Sequence, residues 1–193
     1  MERLIESIKL YVPLNEQEIE LLRNTVDKKV YNKNDIIFSE GNISDEIYFV
    51  TKGCVRLYYE VDGTDKTAFF YFEGQFICAG ESYTFDIPAS ENYQAVEETE
   101  IFVFSKSKIE VLLKEAPKFE VIARIATENE LITCQKVIAS FVTKSAEERY
   151  VDLLNSQGEL FHRVQQRYIA SFLGVSPETL SRIKTRVFNK MSS

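Results

Sequence analysis

CVRLYYEVDGTDK, residues 54–66, is the stretch that decides the fold. Val55, Leu57, Tyr59 and Val61 alternate with Arg56, Tyr58 and Glu60, and a period of two predicts a strand with one buried face. The DGTDK that closes the stretch carries the Asp-Gly pair of a tight hairpin turn. On either side the apolar residues again come in short runs: DIIF and EIYFV before it, TAFFYF, QFICA, YQAV and EIFVFS after it. Short strands with turn signals every roughly eight to twelve residues, between about 30 and 105, predict a sandwich or jelly roll.

Outside that region the pattern is helical. Residues 1–29 read as short helices, with Asn15 capping EQEIELLRN and Glu18 completing a capping box just after Pro13. After SKSKIEVLLKEAP, residues 118–143 contain no Gly or Pro. Ile122, Ile125, Ile132 and Ala139 fall in one stripe with Asn129, and Leu131, Val137, Ile138 and Phe141 make a second apolar side. At 1.5 Å per residue this helix is a rod of roughly 39 Å, long for a small domain and apolar on two sides. One side fits the barrel. The other most simply meets the same helix of a second chain, and Asn129 suits a register-fixing polar position in such a seam; a helix buried within a monomer is the alternative. SAEERYVDLLNSQGELF then reads as a further helix stopped at Gly158.

Composition bounds the function. The chain has 193 residues, 45% of them hydrophobic, enough for one good-sized core or two modest ones, so a two-domain soluble protein is expected. Charges interrupt the N-terminal residues every few positions and nowhere do 18 apolar residues run together; neither a signal peptide nor a membrane span is expected, and the location expected is cytoplasmic. Cys54, Cys78 and Cys134 are widely spaced, without the C-x-x-C pair of a metal or cluster site, and read as unreactive thiols. A single His, His162, cannot build a metal site. The net charge of −7 hides an asymmetry. Residues 160–193 hold Arg163, Arg167, Arg182, Lys184, Arg186 and Lys190 against Glu178 alone, a local +5 that leaves −12 on the first 159 residues. An acidic body with a basic tail suits one small module that meets a polyanion.

That module is VQQRYIASFLGVSPETLSRIKTRVF, residues 164–188, which reads as helix, four-residue turn, helix. Ala170 is small enough for a close crossing, Gly174 can take the positive φ of the turn, Ser176 is a good N-cap and Pro177 a good first helical residue. Leu180 and Ile183 share the buried face. Glu178, Thr179, Ser181, Arg182 and Arg186 point outward, as a recognition helix in a major groove requires. Arg182 can give two hydrogen bonds to guanine, and Glu178 can accept from cytosine N4. Gln165 and Gln166, at the start of the preceding helix, can reach phosphates with the backbone N–H groups there. An ordinary helical hairpin with a solvated basic face is the alternative.

Taken together, the chain resembles the Crp/Fnr family of transcription regulators. On the barrel side the resemblance rests on SEGNISDEIYFVTKGCVRLYY, with Gly41, the short strand Ile47 to Val50, and Gly53. On the other side it rests on LGVSPETLSRIK, where Glu178, Thr179 and Arg182 match the family's recognition face. It implies an α+β architecture: an N-terminal cyclic nucleotide-binding-like jelly roll at 1–116, a dimerisation helix at 117–143 and an all-α helix-turn-helix domain at 144–193. It also implies a homodimer through residues 118–143, double-stranded DNA with an inverted-repeat operator, RNA polymerase as a further partner, and a small-molecule effector of unknown identity.

Three departures qualify what the resemblance implies. GESYTFDIPASENYQA, residues 80–95, aligns Gly80, Glu81 and Ser90 with the family's phosphate-binding loop, but Ala89 stands at its Arg. Between Lys66 and Lys106 there is no Lys or Arg, whereas seven carboxylates lie there, which works against an anion; Arg56 or Arg124 would have to substitute. On the long helix, Thr133, Cys134 and Gln135 stand nearest the Thr-Ser pair that meets the nucleotide base in cyclic-AMP-binding members. Only NKMSS follows the second helix, too short for the family's β-hairpin wing. The Cys cluster of Fnr-type members and the His of haem-sensing ones are missing. The candidate effector set is therefore Gly80, Glu81, Ala89, Ser90, Arg124, Cys134 and Gln135, with no metal ligand, no catalytic residue, and a cyclic nucleotide disfavoured as cofactor. A true cyclic-nucleotide-responsive regulator and a regulatory interaction module without DNA binding stand as alternatives; a cupin-type metalloenzyme lacks the histidines it needs.

Overall fold

A computed structural model describes residues 1–191, so the last two residues of NKMSS lie outside the described residues. Two short helices open the chain, α1 (Glu2–Lys9) and α2 (Glu16–Thr25). Asn15 caps α2: its side chain accepts from the Glu18 amide, and the Glu18 carboxylate accepts from the Asn15 amide. The helical stretch ends earlier than the expected 29, because the DKKVY segment pairs with the last strand of the barrel from Asp27 onward.

Eight strands follow: β1 (Asp27–Tyr31), β2 (Ile36–Phe38), β3 (Glu46–Lys52), β4 (Val55–Val61), β5 (Thr64–Tyr71), β6 (Phe76–Cys78), β7 (Asn92–Ala95) and β8 (Thr99–Ser105). They form two four-stranded antiparallel sheets, ordered β1-β8-β3-β6 and β2-β7-β4-β5, the jelly roll that the strand spacing predicts. β4 and β5 are joined by Asp62 and Gly63, both with positive φ, as a two-residue turn matching the strand twist requires.

Three hydrophobic cores use the two faces of these sheets. Tyr48, Val50, Val55, Leu57, Tyr71, Ile77, Tyr93, Ile101 and Val103 fill the space between the sheets. Their neighbours point the other way: Phe49, Phe102 and Phe104 form a second core with α1, α2 and the helices after β8. From the other sheet Cys54 and Phe70, with Val96 just past β7, enter a third core with the C-terminal helices. Burial on both faces explains why TAFFYF and EIFVFS read as nearly continuous apolar runs.

β4 corrects the simple alternation. Val55 and Leu57 face inward as expected, but Tyr59 and Val61 are exposed and Arg56 is 1% exposed. The pairing with β5 slips between Leu57 and Tyr58, a bulge that breaks the period, and the strand then runs past the end of the barrel.

Between β6 and β7 lies α3 (Gly80–Phe85), a short helix ending at Asp86 in the left-handed conformation. After β8 come α4 (Lys106–Glu115), a 3-10 turn (Pro117–Phe119) and α5 (Glu120–Thr143), whose 24 residues span about 36 Å. Four helices complete the chain: α6 (Ala146–Ser156), α7 (Leu160–Arg163), α8 (Gln166–Phe172) and α9 (Pro177–Met191). α6 stops at Ser156, two residues before the expected stop at Gly158, and the four-residue α7 follows beyond that glycine.

Candidate nucleic-acid interface and effector sites

α8, the turn 173–176 and α9 form the C-terminal helix-turn-helix. Gly174 takes φ +70°, and a Cβ there would lie 2.9 Å from the Phe141 ring, so the turn needs glycine for both conformation and space. Ser176 Oγ accepts from the Thr179 amide and Pro177 begins α9. Ala170, Leu180 and Ile183 are buried together, joined by Val187, which the sequence reading did not single out.

With that face locked, the opposite face of α9 is presented to solvent. Glu178, Ser181, Arg182, Thr185 and Arg186 are exposed and Thr179 is half-buried. Arg182 Nη2 donates to Thr179 Oγ1 at 2.9 Å, which aligns the guanidinium along the helix. A hydrogen bond from Ser176 holds the Glu178 carboxyl below its ordinary value, with Arg182 adding a smaller effect in the same direction. Arg186 and Lys190 pair with Glu147 of α6 at 3.3 and 2.6 Å; such exposed pairs are weak and exchange readily for other anions. Gln165 is the N-cap of α8 and Gln166 its first residue, so their amides lie at a helix N-terminus on the same module.

This module is seated on the barrel, which the sequence did not reveal. The Arg163 guanidinium reaches Glu73 Oε1 at 2.7 Å and Glu97 Oε1 at 2.6 Å, bridging two acidic loops of the barrel. Burial alone would raise the Glu73 carboxyl, but hydrogen bonds from Arg163 and the Gly53 amide hold it below the ordinary value. Ser171 Oγ accepts from the Thr67 amide of β5 at 2.9 Å. Arg56 lies between the rings of Tyr58 and Tyr168, 4.0 and 3.8 Å from their centroids, and donates to Gln94, Thr67 and Asp65. A buried guanidinium with its donors satisfied and both faces covered by aromatic rings is a strong anchor. Nothing local announces these pairs, because their partners are 90 and 66 residues apart for Arg163.

The barrel side of the candidate effector set is dispersed. Gly80 and Glu81 are exposed at the start of α3, and Ala89 is buried, its amide donating to Asn42 O. Ser90 directs both its amide and its hydroxyl to the Glu91 carboxylate, at 3.1 and 3.2 Å. The donors that would meet a phosphate therefore already hold an anionic group of the same chain. Arg56 points away from the barrel interior, and Arg124 pairs with Glu128 at 2.7 Å on the exposed side of α5, so neither stands in for Arg at position 89. Tyr48, Tyr71 and Tyr93, each at most 5% exposed, fill the space between the sheets. Tyr71 Oη donates to Glu130 of α5 at 2.8 Å and Tyr93 Oη to the Cys78 carbonyl at 3.1 Å. Cys134 is half-buried, one turn beyond Glu130, and Gln135 is exposed.

α5 itself buries one stripe and leaves others open. Ile122 is buried and Ala126, Glu130, Cys134 and Val137 are half-buried on the barrel side, so the inward stripe shares Ile122 with the expected one and then parts from it, leaving Asn129 exposed. Leu131, Ile138 and Val142 are 57, 64 and 78% exposed. At its C-terminal end Arg149 stacks on Phe141, 4.4 Å from the ring centroid, and donates to the carbonyls of Lys144 and Leu173, tying the end of α5 to the turn of the helix pair.

No helix among the described residues is long and apolar enough to cross a membrane, and no group of three or more His, Cys, Asp or Glu among them could hold a metal ion. Residues 28–116 match the family described as the cyclic nucleotide-binding domain. Among curated proteins the chain is similar to the nitrogen fixation regulation protein FixK of Rhizobium meliloti, 24% identical over 81% of this chain and 73% of that one. It is also similar to the regulatory protein HlyX of Actinobacillus pleuropneumoniae, 25% identical over 94% and 80%. Among solved structures it shares its fold with the c-di-GMP responsive global regulator CLP of Xanthomonas campestris, at a TM-score of 0.74 and 16% identity over 91% of this chain and 93% of that one. FixK2 from Bradyrhizobium japonicum aligns at 0.72, with 20% identity over 86% and 85%. Its curated relatives are Crp/Fnr transcription regulators, not enzymes.

Proposed function

We propose that this chain is a Crp/Fnr-type regulator, homodimeric and sequence-specific in binding DNA, whose barrel does not hold a cyclic nucleotide in the usual way. The observation that carries the reading is the outward face of α9, where Glu178 and Arg182 stand one turn apart on a capped helix whose opposite face is locked in a core. In a major groove Arg182 reads guanine through two N–H groups and Glu178 accepts from cytosine N4. Thr179, Ser181 and Arg186 flank them, and Gln165 and Gln166 meet the phosphates beside the N-terminus of α8. The division of labour follows: residues 1–116 sense, 117–143 dimerise and 144–193 read DNA, in a cytoplasmic protein that also meets RNA polymerase.

Dimerisation is supported by the uncovered apolar residues of α5, which a second α5 would cover across a two-fold axis. The operator is then an inverted repeat with half-sites roughly 34 Å apart. An effector works by favouring one arrangement of the two helix pairs over another. Against a bound cyclic nucleotide stand the tyrosine-filled interior, Ala89, and the Ser90 donors already held by Glu91. The family match at 28–116 keeps the cyclic-nucleotide-responsive reading as the second one.

The test is operator selection from random duplexes followed by footprinting, with light scattering on the same preparation. An inverted repeat bound by a species of twice the monomer mass is expected. Protection of a single half-site by a stable monomer overturns the reading.

A further inference from the structure

A cleft of about 610 Å³ lies between the outer wall of the first sheet and α5. Its location is outside the barrel: Ile47, Phe76, Cys78 and Phe104 line it, whereas their strand neighbours Tyr48, Ile77 and Val103 point into the space between the sheets. The remaining wall comes from α1, α2, α3, α4, the 3-10 turn and the first half of α5. Its volume is that of a small-molecule site. Among its lining residues there is no Lys, Arg or His, and Glu130 is the only carboxyl.

We propose that this cleft binds an uncharged, hydrophobic small molecule bearing one hydrogen-bonding group, and that the guest sets how α5 leaves the barrel. The argument is from charge and shape. With no cation in the wall, a nucleotide phosphate or a fatty carboxylate finds no ionic partner to offset its desolvation, and any ionised Glu130 would repel it. An uncharged guest finds aromatic and branched side chains on most sides, and at the Glu130–Tyr71 pair a polar group able to share a hydrogen bond. Burial raises the Glu130 carboxyl above its ordinary value, the Tyr71 hydrogen bond opposing this only in part. Burial likewise pushes the Cys78 thiol up to about 12. The wall therefore resists charge at both positions. A second copy of the chain has other surface to cover: Leu131 sits at the edge of the cleft, but Ile132, Ile138 and Val142 of α5 do not line it. Because the guest would touch both Phe104 of the sheet and Ala126 of α5, its presence separates or joins two elements whose far end is tied through Phe141 and Arg149 to the helix pair.

The regulatory half of this inference rests on the DNA-binding reading, but the binding half does not, and the experiment separates them. The full chain, without DNA, is titrated with Nile red, which is uncharged, and the probe is competed with 1-naphthol and with 1-naphthoate at pH 7.5. The two competitors share the naphthalene ring and differ in charge. Nile red is expected to bind with a blue-shifted emission, and 1-naphthol to displace it at least tenfold more effectively than 1-naphthoate. Cys78→Phe, which fills the cleft from the sheet, and Thr84→Phe, which fills it from the exposed side of α3, should each weaken the probe at least tenfold. Equal displacement by the two competitors, or an unchanged probe affinity in a folded filled variant, overturns the proposal. So does probe binding that appears only on dilution to a monomer, which would mean that a second copy occupies the cleft. Operator footprinting with and without saturating 1-naphthol is read separately, so loss of DNA binding and loss of probe binding are distinguishable failures.

Discussion

The loop around Ser90 and the outer face of α9 are both short polar surfaces with hydrogen-bond donors, yet they end in opposite states. At the loop, Ser90 gives its amide and hydroxyl to Glu91, and Ala89 is buried. On α9, Arg182 keeps only a side contact with Thr179, and Glu178, Ser181 and Arg186 remain exposed. The lesson is that a motif presents its chemistry only when its neighbours leave the donors unspent. One Glu beside the serine is enough to occupy the donors of a potential anion cradle, while a well-capped amphipathic helix directs its polar residues outward by geometry alone.

The comparison is tested most severely at the core that holds α9 in place. Leu180 is fully buried among Ala170, Ile183 and Val187, so Leu180→Ala should cost about 2–5 kcal/mol in urea unfolding of the helix pair. A change below 0.5 kcal/mol, about the size of an ordinary surface substitution, would mean that the face of α9 is not set by this core. Next comes the reading face. Arg182→Ala should weaken specific operator binding by about 1–3 kcal/mol and relax base preference at one position, as measured by competition footprinting. An unchanged footprint would remove Arg182 from the reading role.

A smaller effect is expected from acid. Glu73 is held below its ordinary value in the folded chain, so its contribution to seating the helix pair is present above the unfolded carboxylate value and is lost as pH falls through the folded one. Small-angle scattering between pH 7 and pH 3 should show an unchanged radius of gyration near neutrality and an increase only at the acid end. Expansion that begins above pH 6 would point to a different contact. Smallest of all, calorimetry with cyclic AMP and cyclic GMP should give no heat of binding at physiological concentrations. A micromolar constant for either would show that the Ser90 loop reopens, and would break the contrast with α9.

Legibility in the sequence followed the range of the interaction. The Asn15–Glu18 capping box, the Asp62–Gly63 hairpin, the Ser176 cap and the jelly roll's strand spacing were all readable, because each depends on residues a few positions apart or on a repeated period. β4 failed halfway, at the slip after Leu57, since a bulge is decided by the partner strand. Arg56 looked like a solvent-facing residue of an alternating strand and proved the best-buried cation of the chain, because Tyr168, more than a hundred residues away, closes over it. For the candidate site, the outward residues of α9 were readable from helical spacing. The cleft beside α5 was not: its walls come from nine separate elements and α5 is apolar on more than one side, so spacing alone could not say which stripe meets the barrel.

What the sequence by itself determined is the run of short strands, the long helix and the C-terminal helix pair, though not α3 or α7, together with the face of α9 that carries Glu178 and Arg182 and the absence of a cation between Lys66 and Lys106. Those are properties of local backbone preference, amphipathic period and composition, and they need no distant partner. Only the tertiary structure decided that Arg163 bridges Glu73 and Glu97, that Arg56 is an anchor rather than a ligand, and that the chain carries an apolar cleft outside its barrel. Each of these is made by residues brought together through the closure of two sheets and the docking of helices, and burial, not sequence neighbourhood, sets which side chains meet.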